Sequence, residues 1–231
     1  MKTPSPAVCE VLGRSGVDLV CLDAEHAPFD RRDIDNCVLA CRAVQLPCLV
    51  RVPAAKAEHI LSVLDVGADG IIAPHMKNAE DARYVAGKAH YHTGRGFAGG
   101  TRASGAKGMA EHVADSAAST VVVGQIEDVE ALDNIDAILD VDGIDCFFIG
   151  RSDLTISMGL TDRNDPRVLS AIEDICRRAK KRGRITGTFT ADLDELPHWR
   201  SLGVSLFLLG SDQGFMASGA KSFGAQVREK L

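Results

Sequence analysis

Short apolar runs rich in β-branched residues, each separated from the next by a stretch long enough for a helix, constrain this chain more than any other feature. They fall at 17–22 (VDLVCL), 47–51 (PCLVR), 70–73 (GIIA), 120–126 (TVVVGQI), 144–149 (IDCFFI), 184–189 (RITGTF) and 205–209 (SLFLL). Strands alternating with helices in this way form βα units of one parallel sheet. Helices are predicted near 31–44, 55–66, 79–89, 128–140, 166–182 and 192–202, with a last one over 213–228. Gly67, Gly143, Gly183 and Gly203 each stand just before a strand, where a helix C-cap takes a left-handed residue.

An eighth strand would close such a sheet into a barrel. Its place is the extreme N-terminus, where Met1–Thr3 precede Pro4-Ser5-Pro6 and a helix over 7–14. The expected fold is therefore α/β, a (β/α)8 TIM-type barrel with a very short first strand. A chain of 231 residues is near the lower end for one such barrel and too short for two domains, so a single domain over 1–231 is expected. The stretch 93–107 (TGRGFAGGTRASGAK) is glycine-rich, and a loop of that length in a compact barrel is usually functional.

Composition excludes some partners. A net charge of -6 without a concentrated basic face speaks against nucleic acid. No apolar stretch approaches the ~18 residues that a membrane span needs. The seven cysteines contain no Cys-x-x-Cys pair and lie in apolar strands or on helix faces, which predicts buried free thiols and a reducing, cytoplasmic location.

In parallel barrels the chemistry gathers at the C-terminal ends of the strands. Here those ends run into Asp23-Ala24-Glu25-His26-Ala27-Pro28, into Arg51, into Gln125 and Glu127, and into Gly150-Arg151-Ser152-Asp153. Glu127 and Asp153 lie one βα unit apart and project into one mouth. Two carboxylates there repel unless a cation intervenes, and Mg²⁺ or Mn²⁺ fits such a pair. Spacing alone leaves open that Asp153 caps a helix and Glu127 is solvated. His26 follows an acidic pair on a rim loop, which suits acid/base work, with Asp23 to orient it. Arg51, at the end of an apolar strand, would aim its charge at a developing oxyanion or pair with Asp23 or Asp65. The amides at Gly150-Arg151-Ser152 suit a carboxylate or phosphate. His75 is on the same rim without a supporting motif, and no role is assigned to it or to the remaining histidines. None of the apolar runs carries a lysine, so a Schiff-base aldolase is not expected.

Taken in order, LDAEHAPFDRRD (22–33), PCLVRVP (47–53), LDVGADGIIAPHMKNAEDAR (64–83), GQIEDVEALDNIDAILDVDGIDCFFIGRSDL (124–154) and GRITGTF resemble the HpcH/HpaI aldolases, metal-dependent pyruvate aldolases of the phosphoenolpyruvate/pyruvate barrel superfamily. The resemblance implies that Glu127 and Asp153 hold a divalent ion, Mg²⁺ or Mn²⁺ with Co²⁺ as a third option. It implies that His26 is the acid/base and that Arg51 contacts the keto oxygen. Gln125 would bind pyruvate, and Asp23 and Asp65 would support the histidine and the arginine. Ser152 and Asp153 would seat the substrate carboxylate through their amides. The implied substrates are a 2-oxoacid, pyruvate or hydroxypyruvate, and an aldehyde. The implied assembly is a homo-oligomer, a hexamer built as a trimer of dimers. Arg151-Ser152 stands where many relatives have Pro-Ala, and Asp128 where many have threonine, so acceptor identity is not implied. A citrate-lyase-β-like acyl-CoA lyase would need a cationic surface for the CoA phosphates. A non-catalytic barrel would not need the set His26, Arg51, Glu127 and Asp153.

Overall fold

All seven runs become strands of one sheet in the computed structural model, which describes residues 1–231. The strands are β1 Val20–Asp23, β2 Cys48–Arg51, β3 Gly70–Ala73, β4 Val121–Ile126, β5 Cys146–Ile149, β6 Ile185–Thr190 and β7 Val204–Leu209. Their order in the sheet follows the chain and every neighbouring pair is parallel. The helices are α1 Pro6–Gly13, α2 Arg31–Ala43, α3 Ala57–Asp65, α4 Ala79–Ala89, α5 Met109–Ser119, α6 Glu130–Asp133, α7 Ile135–Leu139, α8 Arg151–Ser157, α9 Pro166–Lys181, α10 Leu196–Ser201 and α11 Asp212–Lys230.

Period-two alternation along the strands sorts side chains into two cores. Cys21, Leu49, Ile72, Val123, Cys146 and Phe148 meet inside the curl of the sheet. Leu22, Val50, Ile71, Val122, Phe147 and Ile149 face outward against the helices. The inner core demands one small residue: a Cβ on Gly187 would stand 2.9 Å from Phe148 Cδ2 and 3.1 Å from Leu206 Cβ. Glycine at that position lets the Phe148 ring fill the interior.

Several expected boundaries moved. The first strand starts at Val20 rather than 17, and the helix expected over 128–140 breaks at Asn134, whose Nδ2 donates to the carbonyls of Glu130 and Lys77. The helix expected over 192–202 is a 3-10 turn, Leu193–Glu195, followed by α10. Helix α5 was not expected at all, because its buried face is made of His112 and Ser116 and leaves no apolar periodicity to read. The His112 ring is satisfied by the Tyr91 hydroxyl, 2.7 Å away. The glycine-rich stretch 93–107 joins α4 to α5 at the end of the sheet where the strands begin, away from the rim. There the Ala103 amide donates to the Asp65 carbonyl at 3.2 Å.

Met1–Thr3 does not form the expected strand, since two backbone bonds tie it to one side only. The Met1 amine donates to the Cys21 carbonyl, and the Asp23 amide donates to the Met1 carbonyl at 3.0 Å. On its other side the amides of Lys2 and Thr3 donate to the Asp212 carboxylate, at 2.6 and 3.1 Å. All seven cysteines are buried free thiols. No helix is long and apolar enough to cross a membrane.

Candidate active site

The inward register that builds the inner core continues past the strand ends, and there it turns polar. From Cys21 it reaches Asp23 and then Glu25, from Leu49 it reaches Arg51, and from Val123 it reaches Gln125 and Glu127. Phe148 is followed by Gly150 in the same sense. This glycine is required by close approach, since a Cβ there would lie 2.7 Å from Glu127 Oε2, 2.8 Å from Glu127 Cβ and 3.0 Å from Gln125 Nε2.

Arg51 and Asp23 are direct neighbours across β1 and β2. The guanidinium donates from Nε and Nη2 to Asp23 Oδ1, at 3.0 and 2.8 Å, and its Nη1 stands 3.1 Å from Glu25 Oε2. Burial opposes the charge of Asp23, but the Arg51 cation and the His26 amide outweigh it and hold the carboxyl below its ordinary range. Burial likewise disfavours the Arg51 cation, and Asp23 and Glu25 more than compensate, so its pKa is raised.

Glu127 is 2% exposed. Its Oε1 accepts from the His75 amide at 2.9 Å and its Oε2 accepts from Gln125 Nε2. Burial raises its pKa. His75 follows β3 with φ of 56°, in the left-handed region that side chains other than glycine's rarely enter. Strain of this kind concentrates at functional sites. The conformation turns the His75 ring toward three carboxylates: Nδ1 is 3.0 Å from Asp128 and 3.5 Å from Glu127, and Nε2 is 3.8 Å from Glu25. Burial lowers the histidine pKa, and the hydrogen bond to Asp128 with the neighbouring charges of Glu127 and Glu25 raises it by more.

Glu25, His75 and Glu127 offer ligand atoms within 4.8 Å of one another. Glu25 Oε2 is buried and accepts no hydrogen bond, despite the nearby Arg51 cation. Buried carboxylate oxygen left without a donor, beside a second carboxylate and an imidazole, fits a divalent ion.

Of the residues expected from sequence, Asp23, His26, Arg51, Gln125, Glu127, Ser152 and Asp153 all lie on this rim. Two expectations need correction. Asp23 does not orient the His26 ring: it accepts from the His26 amide at 3.1 Å, while the ring, 55% exposed, points Nε2 toward Glu25 Oε2 at 3.7 Å. Asp65 reaches neither His26 nor Arg51 within the chain, because it ends α3 at the opposite end of the sheet and pairs with Arg95 at 3.1 Å. Asp153 is exposed on the first turn of α8 and is not among the three clustered ligands. Glu25 and His75, which with Glu127 could hold an ion, were not singled out as ligands because neither stands in a motif that marks it. The signal for Glu25 was its place two residues after Asp23, on the same face.

A cavity of about 510 Å³ opens at this rim. Arg51, Gln125, Gly150, Arg151, Asp153 and Arg163 are among the residues that line it. Its size suits a small organic substrate.

The chain is similar to known proteins along nearly its whole length. The hydroxypyruvate/pyruvate aldolase of Paraburkholderia phytofirmans is 30% identical over 97% of this chain and 90% of its own length. The 5-keto-4-deoxy-D-glucarate aldolase of Enterobacter sp. is 31% identical over 97% of this chain and 89% of its own. A crystal structure of an HpcH/HpaI aldolase/citrate lyase family protein from Burkholderia cenocepacia superposes with a TM-score of 0.92 at 29% identity, covering 99% of this chain and 92% of the other. The family model described as HpcH/HpaI aldolase/citrate lyase matches residues 1–218, and the chain is a member of that enzyme family.

Proposed function

We propose that this protein is a divalent-metal-dependent, class II aldolase. It would reversibly join the enolate of pyruvate or hydroxypyruvate to an aldehyde, acting on 4-hydroxy-2-oxoacids such as 2-keto-3-deoxy sugar acids or 4-hydroxy-2-oxoheptanedioate. The observation that carries the reading is the convergence of Arg51, Gln125 and the Glu25–His75–Glu127 group on one rim.

Glu127, with Glu25 and His75 beside it and Asp153 from the adjacent strand end, would hold Mg²⁺, Mn²⁺ or Co²⁺. When bound, the ion supplies positive charge that draws electrons from the 2-oxo group. Arg51, fixed in aim by Asp23, donates to the same oxygen as it gains negative charge. Gln125 and the Ser152–Asp153 turn orient the acid end of the substrate. His26 takes the proton from the 4-hydroxyl, the C3–C4 bond breaks, the aldehyde leaves, and the electron pair passes into the enolate facing Arg51. A proton delivered to C3 then gives the 2-oxoacid.

Chelation with excess EDTA is expected to abolish both cleavage and deuterium exchange at C3 of pyruvate, and Mg²⁺ or Mn²⁺ to restore both. Full activity in EDTA, together with borohydride trapping of pyruvate on a lysine, would overturn the reading.

The same reading extends to form. Met1–Thr3 would stand in the eighth position of a (β/α)8 barrel, and its bonds to β1 and Asp212 support this. A homo-oligomer, a hexamer as a trimer of dimers, is supported by α11. Of its nineteen residues only Asp212 is buried, leaving Phe215, Met216 and Phe223 in the open. Light scattering at micromolar concentration should give a mass several times that of the chain, and a monomer would contradict this. Seven buried free thiols support a cytoplasmic setting, which fractionation of the source cells would test.

A further inference from the structure

The rim contains a second cationic arrangement that the proposed chemistry does not use. Arg151, at the start of α8, spends its guanidinium on three partners. Nε donates to the Arg163 carbonyl at 2.9 Å, Nη1 to Glu195 Oε1 at 2.8 Å and Nη2 to Asn164 Oδ1. The group also lies 5.6 Å from the centre of the Trp199 ring. Glu195 is held in turn through its other oxygen, which accepts from the Thr190 hydroxyl at 2.9 Å and from Trp199 Nε1 at 3.3 Å. Arg151 therefore fastens the connection between α8 and α9 to the loop after β6, across one side of the cavity.

What this fastening holds in place is Arg163. The residue is among those lining the cavity, and its exposed side chain makes no hydrogen bond or ion pair within the chain. No acid forms an ion pair with it, and the neighbouring carboxylates accept hydrogen bonds from other groups. Asp162 accepts from the Asn164 amide at 2.8 Å, and Asp165 is held by the amide and guanidinium of Arg167, at 2.9 and 2.7 Å. Asp192, the remaining acid of that wall, accepts from the Asp194 amide at 3.0 Å. A free guanidinium on a braced loop suits an oxyanion, because its planar fork matches carboxylate and phosphate oxygens. Arg51 and Gln125, half-buried and buried, share this cavity with the exposed Arg163, so a substrate whose 2-oxoacid end is held by Arg51 and Gln125 could bring its other end to Arg163 at the open side.

We propose that Arg163 binds an acidic group, a carboxylate or a phosphate, at the far end of the aldehyde, and that Arg151 is the residue that positions it. The inference rests on the aldolase reading, whose substrates already include a dioic acid, and adds the residues that would recognise the acidic end of the acceptor. Condensation with pyruvate separates the two. The pairs to compare are succinic semialdehyde with butanal, and glyceraldehyde 3-phosphate with glyceraldehyde. The native enzyme should favour at least one acidic member by roughly tenfold in kcat/KM, the scale of one charge-assisted hydrogen bond. The pair that shows the preference identifies the group.

In Arg163→Gln the preference should collapse through KM for the acidic aldehyde, while deuterium exchange into pyruvate, which involves no aldehyde, continues. Arg151→Gln should raise the same KM, and the double variant should be little worse than Arg163→Gln alone, since the first residue acts through the second. Multiplying losses, with kcat for the neutral aldehyde falling too, would remove the positioning role. Condensation without any preference for the acidic members, or a preference that survives Arg163→Gln, would overturn the proposal and leave the aldolase reading standing. Absence of both condensation and pyruvate exchange would overturn both.

Discussion

Arg51 and His26 occupy different electrostatic positions, and that difference separates their roles. The arginine is largely enclosed and charge-paired on two sides, while the histidine ring is half open to solvent. Arg51 faces the oxygen of the enolate whichever route forms it. Arg51→Ala should therefore slow both cleavage and pyruvate deuterium exchange, by about a hundred- to a thousandfold, as for loss of one aimed oxyanion donor. His26→Ala should cripple cleavage and slow exchange much less, because the proton it moves is on the 4-hydroxyl. Rate assays paired with NMR of the pyruvate methyl group measure both. Unchanged exchange in Arg51→Ala, or near-normal cleavage in His26→Ala, would remove the corresponding role. The sequence exposed these two residues because Arg51 ends an apolar strand and His26 lies in the acidic loop that leaves another. It did not expose His75, whose part in the site depends on a left-handed backbone at 75 that brings ring and amide to Glu127. Asp65 misled for the converse reason: a carboxylate within a family-like motif says nothing about which end of its helix faces the rim.

At the scale of elements, what was legible followed from periodicity. Strands buried on both faces read as apolar runs, and their positions held to within a few residues. Helix α9 read well because its buried residues, Val168, Ile172, Ile175, Cys176 and Ala179, repeat at helical spacing. Helix α5 did not, since its inward face is polar, and the break at Asn134 is stabilised by side-chain bonds that carry no hydrophobic signal. The interior of the curl makes a separate demand at Gly187, where Phe148 and Leu206 leave no room for a methyl group. Gly187→Ala should overpack this point and destabilise the fold by about 1–3 kcal/mol. Urea unfolding followed by circular dichroism would measure it. An unchanged midpoint would mean that the Phe148 ring is free to move aside.

At the scale of the whole molecule, a single side chain joins the two ends of the sheet. Asp212 follows β7 and accepts the amides of Lys2 and Thr3, while the Met1 carbonyl next to them pairs with β1. Where a complete strand would connect these edges through a ladder, a carboxylate does so with two charge-assisted bonds. Burial disfavours the charge of Asp212, but the bonds from Thr3 and Lys2 and the N-terminal amine hold its pKa below the ordinary aspartate value. A carboxyl with a lowered folded pKa contributes stability that is fully present above its unfolded pKa of about 3.9 and is lost as pH falls through the folded value. Asp212→Asn keeps the shape but gives up the charge, and at neutral pH it should cost about 2 kcal/mol, the scale of hydrogen bonds to an ionised group. The gap between native and Asp212→Asn proteins in urea midpoint should be widest at neutral pH and should narrow only below about pH 4, as the native carboxyl protonates. A gap independent of pH down to the acid limit would show that the N-terminus is held by packing around Met1 rather than by the Asp212 charge.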